Sequence, residues 1–176
     1  LGSANEVHLS ALRDHPEWAS FRGRLELVRT GYLRSWVEEQ AIYDTQVAPQ
    51  VRRHVAPHAT FVGALFAVLT RMRKPSPERF DRALAQIVSS LTAIEKAELY
   101  STGAIPERLD PDAAKVLRAS VAQVYDESRA YPIYEGRIGA SPREMKSALL
   151  DAAQDPRYHC FSPLSVLDRL DELCQR

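Results

Sequence analysis

The sequence predicts a mainly α-helical chain with a short α/β remnant at its start. Helix-start signals recur at Thr92, Asp110, Ser141 and Ser162. Apolar residues repeat at helical spacing from Trp36 onward, in SWVEEQAIYDTQV and again after His58. Only Leu25 to Val28, within LELVRT, alternates apolar and charged residues as a half-buried strand does.

Taken in order, NEVHLSALRDHPEWASFRGR reads as two short helices broken at Pro16, ahead of the strand candidate. These residues, 1–30, form the α/β remnant, and 31–176 form the helical domain. Trp36, Ile42, Tyr43 and Val47 mark the next helix, which Pro49 interrupts. Phe61, Leu65, Val68, Leu69 and Met72 then define one helix face that stops at KPSP. Glu78 to Leu91 is a further helix. Thr92 with Glu95 makes a capping box, and Asp110 with Pro111 opens a long helix burying Val116, Leu117, Val121 and Val124. YPIYEGRIG reads as a linking turn. Ser141 caps the helix after it, and Ser162 with Pro163 opens the last.

Apolar residues make up 45% of the 176 and charged residues 26%, enough to bury a real core. The 23 basic and 23 acidic side chains cancel, which argues against bulk binding to nucleic acid or to an anionic membrane. No apolar run is long enough to span a bilayer. Cys160 and Cys174 are too few for a disulfide scaffold and read as buried thiols in a reducing cytosol, so the expected location is cytoplasmic. Residue 1 is Leu and the chain opens as though in mid-element, the expectation being a piece of a longer protein.

One position stands out. Ser141, Pro142 and Glu144 specify a helix start whose apolar stripe is Met145, Ala148, Leu149 and Ala152. Arg143 lies nearly opposite that stripe, at the positive end of the helix dipole, where a cation costs about 0.3–1 kcal/mol. First-turn amides there make a ready anion site. Arg143 is either a solvated side chain softened by Glu144 or an arginine placed to meet phosphate, and the helix alone does not decide.

GASPREMKSALLDAAQ, followed by a short loop and SPLSVLDRL, resembles the sensor-2 region of AAA+ ATPases, especially the MoxR-like branch. YLRSWVEEQAIYDTQVAPQVRRHVAPHATFVGALFAVLTRM resembles the PrkA-type family, often called serine protein kinases and built on an AAA+ module. LGSANEVHL, FRGRLELVRTGYL and LTAIEKAELY resemble the same family. The likeness covers nearly all of the chain and is least diagnostic around Glu78 to Leu91.

That resemblance implies a fold and a set of roles. Residues 31–176 are expected to be the helical AAA+ lid with sensor 2, and 1–30 the end of the ATPase core. Arg143 would face the γ-phosphate of bound ATP. Asn5 would be sensor 1 and position the attacking water, although by position alone it reads as a helix cap. Arg24, with Arg22 as second choice, would be the arginine finger reaching a neighbouring subunit's nucleotide; in isolation the two are surface arginines at a helix end. ATP and Mg2+ are the cofactors implied for the intact protein. Its implied partners are neighbouring subunits of a homo-oligomer and a protein substrate.

Other constellations carry less. His54 and His58 have the spacing of two zinc ligands, but Pro57 disrupts it and no third ligand offers itself, so no metal site is expected. His159 beside Cys160 is a poor nucleophile–base pair, because adjacent side chains seldom meet. The seven glycines form no Gly-x-x-x-x-Gly-Lys-Ser/Thr loop, so this chain alone is expected to hydrolyse no ATP. The competing reading is a non-catalytic helical interaction module.

Overall fold

Caps and prolines divide the chain into short helices, and what joins those helices is as much ionic as apolar. The computed structural model describes residues 2, 6–127 and 135–175. The chain forms two units, Leu1–Thr30 and Gly31–Arg176.

In the first unit α1 (Glu6–Arg13) and α2 (Trp18–Arg22) flank the turn at His15 and Pro16. The Trp18 amide donates to the His15 carbonyl at 2.9 Å. The predicted strand does not form. Residues 25–30 carry no regular hydrogen bonding, and Leu25, Leu27 and Val28 are exposed. A strand needs a neighbour for its backbone groups, and no named strand occurs among the described residues. The α/β remnant expected over 1–30 is thus not shown as a sheet among its described residues.

The second unit is all-α. It runs through α3 (Trp36–Gln46), α4 (Ala59–Arg71), α5 (Arg82–Ser90), α6 (Ala93–Thr102), α7 (Pro111–Glu127), α8 (Pro142–Gln154) and α9 (Pro163–Cys174). Short 3-10 turns follow α3 at Ala48–Gln50 and precede α5 at Pro77–Arg79. Most starts are those the sequence specifies, but α5, expected from Glu78, begins at Arg82 after Asp81 caps it and the Pro77–Arg79 turn takes up the residues before. Ser35 and Asp81 accept from the amide three residues on, and capping boxes close at Thr92–Glu95, Ser141–Glu144 and Ser162–Ser165. Asp110 Oδ1 accepts from the amides of Asp112 and Ala113 at the head of α7.

Two hydrophobic clusters result. Tyr43, Ala64, Ala67, Met145, Leu149, Phe161 and Leu170 centre the first, formed by α3, α4, α8 and α9. Leu84, Val88, Leu99, Leu117 and Val124 centre the second, formed by α5, α6 and α7. The buried face of α4 differs from the predicted one. Thr60, Gly63, Ala64, Ala67, Val68 and Arg71 face inward, whereas Phe61, Leu65 and Leu69 are only half-buried. Small residues let helices approach closely, and a Cβ at Gly63 would lie 2.8 Å from Leu149 Cδ2. Close approach, rather than side-chain size, selected the face.

That inward stripe ends in a charge. Arg71 and Glu39 form a bidentate pair at 2.8 and 2.9 Å, both side chains almost wholly excluded from water. The guanidinium also donates to the carbonyls of Leu33 and Ala140, so each of its five N–H groups has an acceptor. Tyr43 donates to Glu39 Oε1 at 2.6 Å, and burial followed by that bond raises its pKa and keeps the phenol protonated.

Two outcomes test these energetics. Arg71→Met leaves the Glu39 carboxylate buried and unpaired, and is expected to cost about 3–5 kcal/mol in chemical denaturation. Adding Glu39→Met should recover a good part of that loss. The second concerns Glu95, whose pKa falls to about 2 from an ordinary 4.5, chiefly through its hydrogen bond with Arg108. A depressed carboxylate pKa means the unfolded chain binds the proton more readily. Its stabilisation is therefore complete above pH 4.5 and lost as pH falls towards 2. Thermal unfolding of Glu95→Gln should differ from wild type at neutral pH and converge with it in that acid window.

Candidate functional site

Of the predicted linking turn, residues 131–134 lie outside the described residues, and residues 135–140 fold into a turn held on the end of α4. Gly136 and Gly139 both take positive φ, 78° and 115°. The Gly136 amide donates to the Arg71 carbonyl at 3.2 Å, and its own carbonyl accepts from the Tyr32 amide at 2.8 Å. The Ala140 amide donates to Thr70 Oγ1 at 2.9 Å while its carbonyl takes two bonds from Arg71. The start of α8 is thus fixed by α4 through both the amide and the carbonyl of Ala140.

From that anchored start Arg143 emerges exposed, while Met145, Ala148, Leu149, Ala152 and Ala153 turn inward. It lines an open cavity of about 630 Å³ between α4, α8 and α9, with Phe66, Thr70, Ala148, Asp151, Arg169 and Leu173. Arg169 is neutralised by Asp151 at 2.5 Å and Glu172 at 2.6 Å. Arg143 makes no hydrogen bond or ion pair among the described residues. Glu144 lines the same cavity without an ion pair, so the charged groups of the lining, Arg143, Arg169, Glu144 and Asp151, balance, and Arg143 is the cation among them that has no ion pair.

The amides of the first turn offer an anion less than the sequence suggests. Glu144 folds back to accept from the Ser141 amide at 2.9 Å, and the Glu144 amide donates to Ser141 Oγ at 3.2 Å. Pro142 has no N–H. The capping box and the proline leave the guanidinium as the main anion-attracting group. The Ser141 side chain and amide also hold the Glu144 carboxyl below its usual pKa, so it stays ionised beside Arg143.

The other predicted residues fall elsewhere. Asn5 lies outside the described residues. Arg22 closes α2 and lines a smaller cleft of about 440 Å³ with Arg13, Trp18, Leu25 and Leu27. Arg24 does not line it; its side chain is exposed just beyond, its amide bonded to the Phe21 carbonyl at 2.8 Å. His58 takes a left-handed backbone at the head of α4 and sets its ring edge-on to Phe61, while His54 is exposed. No group of three or more metal-ligating side chains occurs among the described residues. Cys174 is exposed on the rim of the larger cavity and Cys160 half-buried, so neither is the buried thiol expected.

Sequence reasoning missed the two buried ionic clusters. Besides Glu39–Arg71, Glu135 meets Lys96 at 2.6 Å and lies 3.6 Å from Arg34, all three buried. A signal existed for Arg71, which continues the i, i+3, i+4 stripe of Ala64, Ala67 and Val68.

Fold and site together define a small helical domain with an exposed, unpaired arginine at a Ser-Pro-Arg helix start. Residues 94–176 match the family model of the PrkA serine protein kinase C-terminal domain, a match that takes in α7, α8, α9 and Arg143. Over that stretch, a little under half of the chain, it is similar to the C-terminal domain of the PrkA-type family. No curated protein and no solved structure gives a significant match. No helix among the described residues is long and apolar enough to cross a membrane.

The turn before α8 is testable apart from any function. A Cβ at Gly139 would lie 2.7 Å from the Thr70 carbonyl oxygen and 2.8 Å from Arg71 Cγ. Gly139→Ala should destabilise the fold by about 1–3 kcal/mol. Thermal unfolding measures the loss.

Proposed function

We propose that this chain works within a PrkA-type ATP-dependent protein as its helical lid, and that Arg143 is its sensor-2 arginine. The observation that supports the reading is the guanidinium of Arg143, without a hydrogen-bond or ion-pair partner among the described residues and exposed over the α4–α8–α9 cavity inside the segment that matches the family. A guanidinium so placed suits a phosphate oxygen, which it binds through paired N–H donors. Contact between Arg143 and the γ-phosphate would tie the lid's position to whether ATP or ADP is bound.

In this reading the sequence before Gly31 supplies the other groups. Asn5 positions the attacking water, and Arg24 or Arg22 reaches the nucleotide of a neighbouring subunit in a homo-oligomer. ATP and Mg2+ bind on a P-loop that these 176 residues do not contain. Phosphoryl transfer goes either to a serine of a protein substrate or to water with remodelling of that substrate. Neutral net charge gives no support to a nucleic-acid or membrane partner.

A second reading, a helical interaction module without nucleotide chemistry, draws on two observations. The capping box occupies two of the amides that a phosphate would use. Leu164 and Leu167 of α9 are also well exposed.

Arg143→Ala in the intact P-loop-containing protein separates the readings. Loss of a charge-assisted contact made in the transition state is worth about 1.5–3 kcal/mol, or roughly ten- to a hundred-fold in ATP turnover. Steady-state turnover with folding checked by circular dichroism measures it. Unchanged kinetics would remove Arg143 from the nucleotide site and leave the interaction module.

A further inference from the structure

The connection between α4 and α5 carries a motif that the proposed function does not use. Arg73-Lys74-Pro75-Ser76-Pro77 crosses from the end of the first cluster's α4 to the start of the second cluster's α5. Three serines in the sequence precede proline at a helical start: Ser76, Ser141 and Ser162. The hydroxyls of Ser141 and Ser162 accept cap hydrogen bonds from their helices. Ser76 makes no such bond, so its Oγ is not committed to holding the turn that follows.

Its surroundings are cationic and extended. Ser76 has φ −94° and ψ 98°, an extended conformation that the prolines on either side favour. Arg73 stands three residues before it, and no other serine or threonine in the sequence has arginine at that spacing. The side chains of Arg73, Lys74 and Arg82 make no hydrogen bond or ion pair among the described residues. The backbone at the root of the segment is firmly held: the Arg73 amide donates to Glu135 Oε1 at 2.9 Å, and its carbonyl accepts from Lys96 Nζ at 2.9 Å. Beyond that root Pro75 and Ser76 are half-buried, the short 3-10 turn Pro77–Arg79 follows, and Phe80 packs against the second cluster.

We propose that Ser76 is a phosphorylation site for a serine kinase that reads basic residues ahead of its target. The donor is a nucleoside triphosphate. Ser76 Oγ bonds to the γ-phosphorus, the bond from that phosphorus to the bridging oxygen breaks, the hydroxyl proton passes to the kinase's base, and the nucleoside diphosphate leaves. The product carries a charge of roughly −1.5 to −2 at neutral pH among three unpaired cations. Charge-assisted bonds from Arg73 and Arg82 to the phosphate then brace the link between the two clusters. This inference stands independently of the role given to Arg143.

The folded 176-residue chain, treated with Mg-ATP and an arginine-directed serine kinase, tests it by mass-spectrometric mapping. A synthetic peptide of residues 71–82 serves as the substrate control. The folded chain should take phosphate at Ser76 at a rate within about ten-fold of the peptide, because an extended segment needs no unfolding. Ser76→Ala should abolish the modification and Arg73→Gln should slow it. Modification of Ser76 only after the chain is unfolded, or equal phosphate uptake by Ser76→Ala, overturns the proposal.

Discussion

The buried pair between Glu39 and Arg71 is the constraint on which the larger unit depends. A guanidinium removed from water is tolerable only if all its donors are met, and here five N–H groups find four oxygens, the Ala140 carbonyl taking two of the bonds. Those oxygens come from three places: Glu39 in α3, Leu33 in the strap of residues 31–35 that leads into α3, and Ala140 in the turn before α8. One side chain at the end of α4 therefore fixes how α3 lies, where the chain enters the domain, and where α8 begins. An apolar replacement could hold similar free energy. It could not specify those three positions at once, because hydrophobic contact is non-directional.

A second ionic cluster works beside the first. Glu135 accepts from Lys96 of α6 and from the Arg73 amide just past α4, while Arg34 lies over the Tyr125 ring of α7 at 3.4 Å and donates to the Tyr125 carbonyl. Arg34, Lys96 and Glu135 thus join the strap, both hydrophobic clusters and the turn before α8. Glu135 Oε2 has no hydrogen bond and depends on the charge of Arg34 at 3.6 Å. The two clusters are small, and α6 packs against α3 and α4 as well as α7. Directional polar contacts at their junction define an arrangement that apolar area of that size leaves open.

How much of this the sequence disclosed follows from whether an interaction is local. The boxes at Thr92, Ser141 and Ser162 were legible because both partners lie within one turn. Pro77 and Pro111 marked boundaries for the same reason. The strand at Leu25 to Val28 misled because alternation describes a face and says nothing of the neighbouring strand that must pair with it. On α4 the bulky residues suggested one face, but Gly63 and Ala67 allow the neighbouring helices to approach along another. Arg71 then became an inward residue that no local rule could pair with Glu39, 32 positions away. For the candidate site, the exposure of Arg143 could be read from its place opposite the stripe. The cavity over it could not, since Phe66, Arg169 and Leu173 come from other helices.

The contrast between two arginines shows how structure is turned towards chemistry here. Arg71 is fully enclosed and fully paired, so its charge is unavailable to any ligand. Arg143 stands three residues beyond the carbonyl that Arg71 grips, exposed and without an ionic partner among the described residues. The first arginine sets the origin of α8 through Ala140, and the capping box at Ser141 sets its direction. Together they determine where the second arginine is presented. A cation held this way meets an incoming anion without first ordering a flexible segment, which lowers the entropic cost of contact. Under the proposed sensor-2 role the same rigidity would make the contact mechanical. A pull on Arg143 is borne by Ala140, Arg71 and Glu39 in turn, and so by α4 and α3, rather than being absorbed in a loose loop.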